Sequence, residues 1–435
     1  MIPSMATSGP EVPPRRISLS DLNSAAVWAG VTAFIFFVFG ALTVQISVLQ
    51  QFGISDAQRS SWITITWLTS GLVSLPLCLY YRQPLSIGWT LPGLLYMGSL
   101  AGHFTLGEFA VANLVAGLAI AVIGLAGYGS RIIHVVPMPI LMAMFGASIL
   151  AYITRLVETT VDDVFIAGPM VTAYLAGRVL HSQRVPPVGL AVIVGAVMIA
   201  VLGKLGSLHV DSGLPSLHLV DPRFSFEALL SVSVPMIVLV LGLGNVQSLG
   251  FMISEGYKPP LNQVTVTIGF MTVANAAFGG HPASMARTGT AMVAGRDAGP
   301  AEARYWAAFV AFLPVLGVAT GTGIVVAFIE ILPPAYIFTM AGLAILTPFQ
   351  DAMERAFQGT LRFGSVIAFA VALSTFAVAG IPSAFWALVA GITASFVVER
   401  HELFRYWKQV VSQPHSPLDH VVESMEIRRW EVESS

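Results

Sequence analysis

A polar cluster interrupts an apolar stretch of this chain at residues 278–292, which read FGGHPASMARTGTAM. Arg287 is the one Lys or Arg in the cluster, and a charge at membrane depth costs several kcal/mol unless it is paired or hydrated. We expect Arg287 to hold a ligand carboxylate; the alternatives are that it pairs with a carboxylate of the protein or extends to the aqueous interface. Ser284 and Thr288 can donate hydrogen bonds to the same ligand, or satisfy backbone groups of an irregular segment.

Two residues are candidates for carrying a proton. His281 precedes Pro282 in the polar cluster, and histidine titrates near neutral pH; the alternative is a neutral imidazole hydrogen-bonded to the backbone. Glu108 begins an apolar segment, where a carboxylate is also stabilised by the positive end of a helix dipole. For each residue, a structural role and a proton-carrying role are both consistent with the sequence.

Three amide side chains lie within apolar segments: Gln45, Asn245 and Gln247. A buried amide needs hydrogen-bond partners, so each of these either binds a ligand or joins neighbouring helices. Trp89 lies in a second interrupted stretch, QPLSIGWTLPGLLYMGS at 83–99, where it can stack on an aromatic ligand or pack in the core.

The composition places these residues in a membrane protein. The chain has 435 residues, of which 55% are hydrophobic and 10% are charged, whereas soluble proteins carry about 25% charged residues. The net charge of −2 gives no field that would attract nucleic acid. The single cysteine, Cys78, excludes a disulfide framework and a cysteine-rich zinc site.

Motifs for catalysis or nucleotide binding are missing from the sequence. Gly203-Lys204 is followed by Leu205, so there is no P-loop, and HELFR at 401–405 lacks the second histidine of a zinc-protease motif. We therefore expect no enzymatic activity, no metal and no cofactor, and an ion gradient rather than ATP as the source of energy.

Apolar segments of about 20 residues, the length that crosses a bilayer, recur along the chain. Together with two shorter segments that Gly and Pro interrupt, 84–102 and 279–295, they number about fourteen. With both termini in the cytoplasm, roughly sixteen Lys and Arg residues fall inside and about four outside, as the positive-inside rule requires. The full-length segments are 23–49, 60–81, 106–127, 134–153, 161–180, 186–203, 227–249, 262–278, 303–329, 333–350, 362–380 and 382–399.

The two halves of the chain resemble each other at an offset of roughly 200 residues. GALTVQ at 40–45 resembles GLGNVQ at 242–247. Because seven is an odd number of segments, the second half would cross the membrane in the direction opposite to the first. Such inverted repeats are typical of secondary transporters. The predicted organisation is a cytoplasmic tail, a first repeat, an extracytoplasmic linker, a second repeat and a second cytoplasmic tail, at 1–21, 22–203, 204–225, 226–400 and 401–435.

The interrupted segments are third in each half, and we expect each to combine a short extended stretch with a half-helix. Pro92 and Pro282 suit the first turn of a helix, where no N–H group is needed from them. Each half-helix would point free N–H groups and a positive dipole end at the middle of the membrane. Two such ends form a binding site for an anion.

PLSIGWTLPG (84–93), NVQSLGFMISEGY (245–257) and FGGHPASMARTGTAM (278–292) resemble signatures of the benzoate:proton symporter family. The resemblance covers most of residues 22–400 and implies the all-α, 7+7 inverted-repeat fold of uracil permeases and sulfate-type anion carriers. It implies a core of spans 1–4 and 8–11, a gate of spans 5–7 and 12–14, and a substrate site between the third and tenth spans, next to the eighth. The matching core positions are Trp89, Thr90, Asn245, Gln247, Ser284 and Thr288.

Some positions depart from the family's usual pattern. Ser284 stands where an asparagine is usual, and Arg287 where an apolar residue is usual. A basic residue such as Arg287 is instead a feature that resembles the sulfate-type carriers. Nucleobase permeases have acidic residues near the position of Asn245 and at that of Thr288; both are missing here, which argues against a nucleobase ligand.

The leading hypothesis is proton-coupled symport of benzoate or a similar small carboxylate by alternating access. The protein would be a multi-pass protein of the cell inner membrane, with dimerisation through the gate as is common in folds of this type. The alternatives are a sulfate-type anion carrier or channel, and a nucleobase permease.

Overall fold

The computed structural model describes residues 18–127, 137–180, 187–204, 206, 217–324 and 331–411. This part of the chain is mostly helical and carries four short strands. Most of the predicted N-terminal tail, half of the linker, residues 325–329 of predicted span 11 and the end of the C-terminal tail lie outside the described residues.

Fourteen of the described helices follow the order of the predicted segments, seven in each half. The first half contains α1 (Ser24–Phe52), α2 (Asp56–Tyr81), α3 (Leu91–Ser99), α4 (Leu106–Leu125), α5 (Met138–Asp162), α6 (Val164–Leu180) and α7 (Pro187–Val201). The second half contains α8 (Phe226–Ser254), α9 (Leu261–Ala277), α10 (Arg287–Ala294), α11 (Tyr305–Thr320), α12 (Pro334–Phe357), α13 (Arg362–Leu373) and α14 (Ser383–Val398). A last helix, α15 (Arg400–Val411), turns away from α14 by 107°.

Length and composition allow six of the described helices to cross a membrane: α1, α2, α4, α5, α8, and α11 with the short turn before it. Helices α6, α7 and α13 are shorter and apolar. Large apolar side chains such as Trp28, Val122 and Val201 are exposed on the outside of the bundle, where lipid rather than water suits them. The chain is therefore an integral membrane protein, as its composition predicts.

Several predicted segments end elsewhere than expected; the fifth, predicted to end at residue 153, continues to Asp162 as α5, and α11 ends at Thr320 instead of residue 329. Predicted span 12 ended at residue 350, but α12 continues to Phe357, because residues 351–357 (DAMERAF) are mostly strong helix formers. Predicted span 13 ran to residue 380, but α13 ends at Leu373. After it, β3 (Ala377–Val378) pairs with β4 (Ile381–Pro382) around a turn whose residues have positive φ angles.

The helices pack in two groups. In one, α4 packs on α9, and α11 packs on both α1 and α2. In the other, α5 packs on α12 and α13, α6 on α7 and on α12, and α13 on α14. Each helix has a counterpart seven places along the series, so α2 corresponds to α9 and α4 to α11. If the counterparts are exchanged, the packed pair α2–α11 becomes the packed pair α9–α4, and α5–α13 becomes α12–α6. The packing pattern is thus preserved when the halves are exchanged, as an inverted repeat requires.

Corresponding helices also share a local irregularity. Phe37–Leu42 of α1 and Leu239–Asn245 of α8 are π-helical, and both overlap the repeated sequences around Gln45 and Gln247. An extra residue per turn in a helix commonly marks a functional site. Here the two widened turns lie on either side of the strands that are described below.

Close backbone contact holds α4 against α9. A Cβ atom added at Gly269 would lie 2.7 Å from Cα of Ala121, and one added at Gly117 would lie 2.9 Å from the carbonyl oxygen of Gly269. Small residues at such contacts allow helices in membranes to approach closely. The α4–α9 contact therefore requires glycine at both positions.

We expect Gly269→Ala to destabilise the protein by about 1–3 kcal/mol, because the new methyl group must displace the backbone of α4. Gly317→Ala is the matched control: it lies in α11, where an added Cβ meets nothing within 4 Å. That change should be neutral or stabilise the helix by up to about 1 kcal/mol. Thermal unfolding of both purified variants in the same detergent measures the difference, and equal melting temperatures would contradict the close contact.

Candidate functional site

Two short strands meet in the middle of the bundle. β1 (Ile87–Trp89) pairs antiparallel with β2 (Ala283–Met285), and Gly88 lies opposite Ser284. The pairing continues at both ends: the Thr90 N–H donates to the Pro282 carbonyl at 3.0 Å, and the Ala286 N–H donates to the Ser86 carbonyl at 2.8 Å. The strand pair joins the third segment of one half to the third segment of the other, and confirms the predicted strand-plus-half-helix design.

Polar side chains satisfy the outer edges of both strands. The Ser74 hydroxyl, from α2, donates to the Ile87 carbonyl at 2.6 Å and accepts from the Ile87 N–H at 3.0 Å. On the other strand, the Ala283 N–H donates to Thr272 Oγ1 of α9 at 3.1 Å. The Met285 N–H donates to Asn245 Oδ1 of α8 at 3.0 Å. Each strand is therefore bonded on both edges, by the other strand and by helix side chains.

Each strand leads into a half-helix, but the two N-termini differ. In α3, Thr90 accepts a hydrogen bond from the Gly93 N–H at 3.1 Å, and Pro92 lies in the first turn as predicted. In α10, Ala286 occupies the capping position and has no side chain that can accept. The first turn of α10 thus keeps N–H groups that no capping side chain satisfies.

The prediction that Pro282 opens the second half-helix is wrong. Pro282 comes before β2, and α10 begins at Arg287. The reason is the pairing partner: residues 283–285 have strand neighbours on β1, and those hydrogen bonds hold the backbone extended past the proline. His281 therefore lies before the strand and not at a helix start.

A cavity of about 400 Å³ lies beside the strand pair and the start of α10, within the range of small-molecule sites. One wall comes from the group that contains α1, α3, α8 and α10, and the other from α5, α6, α7 and α12. Most of the lining is apolar, with the aromatic side chains Phe36, Phe37, Trp89, Phe145, Tyr174 and Phe312. The charged side chains among the described lining residues are Arg178, Arg287 and Asp351.

Arg287 pairs with a carboxylate of the protein. Its Nη2 forms an ion pair with Asp351 Oδ2, across the cavity on α12. Its Nη1 donates to Gln247 Oε1 at 3.0 Å. The structure thus shows the first of the two alternatives that the sequence left open for Arg287, pairing with a carboxylate of the protein.

Four of the sequence candidates line the cavity: Trp89, Ser284, Arg287 and Thr288. Two more lie one hydrogen bond behind it, Asn245 on the Met285 N–H and Gln247 on Arg287. The Nδ2 of Asn245 and the Nε2 of Gln247 are both buried and have no hydrogen-bond partner among the described residues. Thr90 is buried and caps α3.

Gln45 lies behind the cavity and acts through two neighbours. Its Nε2 donates to Thr66 Oγ1 at 3.1 Å, and its Oε1 accepts from Trp67 Nε1 at 3.0 Å. The ring of Trp67 in turn lies 4.7 Å from that of Trp89. Gln45 therefore fixes the ring that supports Trp89, without facing the cavity itself.

The two proton-carrying candidates lie away from the cavity. His281 is fully buried, and its Nδ1 accepts from Trp62 Nε1 at 2.8 Å, so the proton of the neutral ring belongs on Nε2. Glu108 closes a capping box at the start of α4, where it accepts from the Thr105 N–H at 2.7 Å. Neither residue is among those that line the cavity.

Sequence reasoning missed Asp351. Predicted span 12 (333–350) ends one residue before Asp351, so the prediction left Asp351 outside the membrane. The available signal was Arg287 itself, because an arginine within the membrane requires a carboxylate or a hydrated position. Groups of three or more His, Cys, Asp or Glu side chains that could hold a metal do not occur among the described residues.

The sequence matches a known family over most of its length. The family model described as benzoate membrane transport protein (BenE) matches residues 20–397. Inner membrane protein YdcO of Escherichia coli (strain K12) is 27% identical over 343 residues, which are 78% of this chain and 87% of that protein. Benzoate membrane transport protein of Acinetobacter baylyi is 23% identical over 382 residues, which are 87% of this chain and 96% of that protein.

The fold also matches a solved transporter. The transmembrane domain of the cyanobacterial bicarbonate transporter BicA aligns with a TM-score of 0.55 at 16% sequence identity, over 87% of this chain and 99% of that one. This likeness shows the 7+7 inverted-repeat fold. Because the family model covers nearly the whole helical part of the sequence, the chain belongs to the benzoate membrane transport protein family of membrane transporters.

Proposed function

We propose that the protein is a secondary transporter that carries benzoate, or a similar small carboxylate, together with protons by alternating access. The observation that carries this proposal is the cavity, in which an aromatic slot adjoins the start of α10, whose first turn no capping side chain of the described residues satisfies. Such a cavity is complementary to a flat apolar body with one carboxylate. Membership of the benzoate transport family and the benzoate transport named for the Acinetobacter baylyi relative support the same substrate class.

The aromatic slot would bind the ring of the substrate. The ring of Trp89 lies 6.1 Å from that of Phe37, and the ring of Phe37 lies 5.3 Å from that of Phe312. Phe37 and Phe312 are almost fully buried, and Trp89 is 7% exposed. Aromatic pairs in such arrangements contribute about 0.5–1.5 kcal/mol each beyond area burial, so this slot favours an aromatic carboxylate over an aliphatic one.

The carboxylate would bind at the start of α10. The uncapped first turn supplies N–H groups and a positive dipole end. Ser284 and Thr288 add hydroxyls at the cavity wall, and the amides of Asn245 and Gln247 lie one hydrogen bond behind that wall, on the Met285 N–H and on Arg287. Arg287 supplies the positive charge, once Asp351 has released it.

Alternating access would be a movement of the two helix groups against each other. We propose that α1–α4 and α8–α11 form the core that carries the site, and that α5–α7 and α12–α14 form the gate, through which a homodimer also joins. The cavity reaches Arg178 near the end of α6 and Pro187 at the start of α7. The excess of basic residues at this end supports a cytoplasmic location for it, so the cavity would face inward, with both termini cytoplasmic.

Uptake of labelled benzoate into proteoliposomes tests the proposal. An inside-alkaline pH gradient should drive saturable accumulation that an ionophore abolishes. Because neutral benzoic acid crosses lipid unaided, protein-free liposomes must supply the background. Sulfate, bicarbonate and uracil should compete weakly or not at all.

Two outcomes would contradict the proposal. If no small carboxylate is taken up in response to the gradient, the protein is not a proton-coupled carboxylate symporter. If anions instead produce a conductance without saturable uptake, the protein is an anion channel.

We expect Trp89→Leu to weaken the binding of benzoate and to spare that of acetate. The change removes one face of the aromatic slot, which is worth about 0.5–1.5 kcal/mol and corresponds to a rise in KM for benzoate of roughly two- to twelvefold. Trp28→Leu is the matched control, because Trp28 is 70% exposed on the outside of α1. Equal losses for the two carboxylates would mean that Trp89 supports the fold and does not contact the ring.

We expect Ala286→Ser to raise the KM for benzoate roughly tenfold or more, because the new hydroxyl caps α10 and takes an N–H group worth about 1.5–3 kcal/mol in a bond to a charged acceptor. Ala291→Ser places the same hydroxyl on an exposed position of α10 and should leave transport unchanged. Initial rates of uptake measure both KM values. An unchanged KM in Ala286→Ser would move the carboxylate site away from this helix end.

A further inference from the structure

An ion pair links the two helix groups across the cavity. Arg287 is the first residue of α10, and Asp351 lies in α12, in the other group. Both side chains are partly exposed to the cavity, at 38% and 31%. The pair therefore lies where a substrate must pass, and it connects the two bodies whose relative movement would expose the site.

Asp351 is the carboxylate that can pair with Arg287 among the described charged side chains that line the cavity. Among the described residues that line the cavity, Asp351 is the one carboxylate, and Arg178 of α6 is the other charged side chain. Tyr174 of α6 also faces the cavity. Arg355 lies within electrostatic range of both Arg287 and Asp351, and Glu354 interacts with Arg355.

The other described helices that pack on α12 contribute charged side chains elsewhere, and none of them forms an ion pair with Arg287 or Asp351. Arg155 of α5 stacks on Phe338, near the opposite end of α12, with its guanidinium 3.6 Å from the ring centre. Arg362, at the start of α13, donates to the Gly359 carbonyl at 2.8 Å. Helices α1 and α7 carry no ionisable side chains.

We propose that Asp351 is the proton carrier, and that it holds Arg287 until the substrate carboxylate replaces it. This inference rests on the proposed function. When the carboxylate of benzoate binds Arg287, Asp351 loses its cation and takes up one proton from water, which forms the O–H bond of a neutral carboxyl group. The empty site contains Arg287⁺ and Asp351⁻; the loaded site contains Arg287⁺, benzoate⁻ and protonated Asp351.

The net charge of the site is therefore the same in both states, and this explains coupling. An unpaired charge in an apolar, membrane-embedded site costs several kcal/mol, so groups there neutralise instead. Benzoate without a proton would leave one negative charge unpaired, and a proton without benzoate would leave Arg287 unpaired. Only the empty pair and the fully loaded site can change sides, which gives one proton for each benzoate.

Asp351→Asn should separate exchange from accumulation. The amide imitates the protonated carboxyl group, so benzoate still binds, and exchange of labelled for unlabelled benzoate should stay within about twofold of wild type. The empty variant leaves Arg287 unpaired, so it cannot return. The initial rate of uptake driven by a pH gradient should therefore fall to that of protein-free liposomes, through which neutral benzoic acid crosses unaided.

Glu354→Gln is the matched control, because Glu354 lies on the same helix but not on the cavity wall that contains Arg287. It should keep both activities. The inference is wrong if the Asp351→Asn variant still accumulates benzoate faster than protein-free liposomes do. It is also wrong if the Asp351→Asn variant has lost exchange although its melting temperature, like that of Glu354→Gln, shows that it is folded.

A measurement on the unmodified protein covers the case in which Asp351→Asn does not fold. Benzoate added to the purified protein in weak buffer at pH 7.5 should cause uptake of about one proton per benzoate bound. Binding without proton uptake overturns the inference, whereas the proposed transport of benzoate could still hold. Absence of any benzoate binding or transport by wild type would overturn the proposed function itself and this inference with it.

Discussion

The pairing of β1 with β2 is the interaction on which the rest of the site depends. Extended backbone within a membrane leaves N–H and C=O groups that lipid cannot satisfy. Here each strand bonds to the other on one edge, and to Ser74, or to Thr272 and Asn245, on the other. Because β1 comes from the first half and β2 from the second, the strands can bond to each other only when both halves of the chain have packed. The site is therefore a product of the inverted repeat rather than of either half.

The two repeats share one scaffold, but they differ at the half-helix start where we propose that the anion binds. Both halves supply a strand, a half-helix and a widened π-helical turn. At the two helix starts, however, Thr90 caps α3, whereas Ala286 leaves α10 uncapped and Arg287 follows it. A satisfied N-terminus is a structural end, and an unsatisfied one with a nearby cation attracts an anion. The two half-helices of one fold thus serve different purposes.

Local sequence signals predicted the elements that local rules determine. Pro92, the Gly-rich interruptions and the lengths of the apolar segments were sufficient to give the number and order of helices and the two strand-plus-half-helix segments. The predicted start of α10 was wrong, because the Pro282 carbonyl accepts a hydrogen bond from the Thr90 N–H beside β1. No local sequence pattern predicts this contact between the two halves. Gln45 and His281 accept hydrogen bonds from Trp67 and Trp62 of α2, and the sequence alone does not identify these partners. Asp351 was missed for a similar reason: its partner lies in another helix, and only the packed structure brings the two together.

In the proposed function, different parts of the cavity would recognise the ring and the charge of the substrate. The aromatic slot belongs mainly to the group of α1, α3 and α11, where Gln45 orients Trp67 and Trp67 supports Trp89. That slot is preorganised, so little ordering is needed when an aromatic body enters it. The charged end is different, because Arg287 is held by Asp351 from the opposite group. A ligand that fills the slot but lacks a carboxylate would leave this ion pair intact, and Asp351 would then take up no proton. Shape would thus determine which molecules bind, while charge would determine whether binding is coupled to a proton.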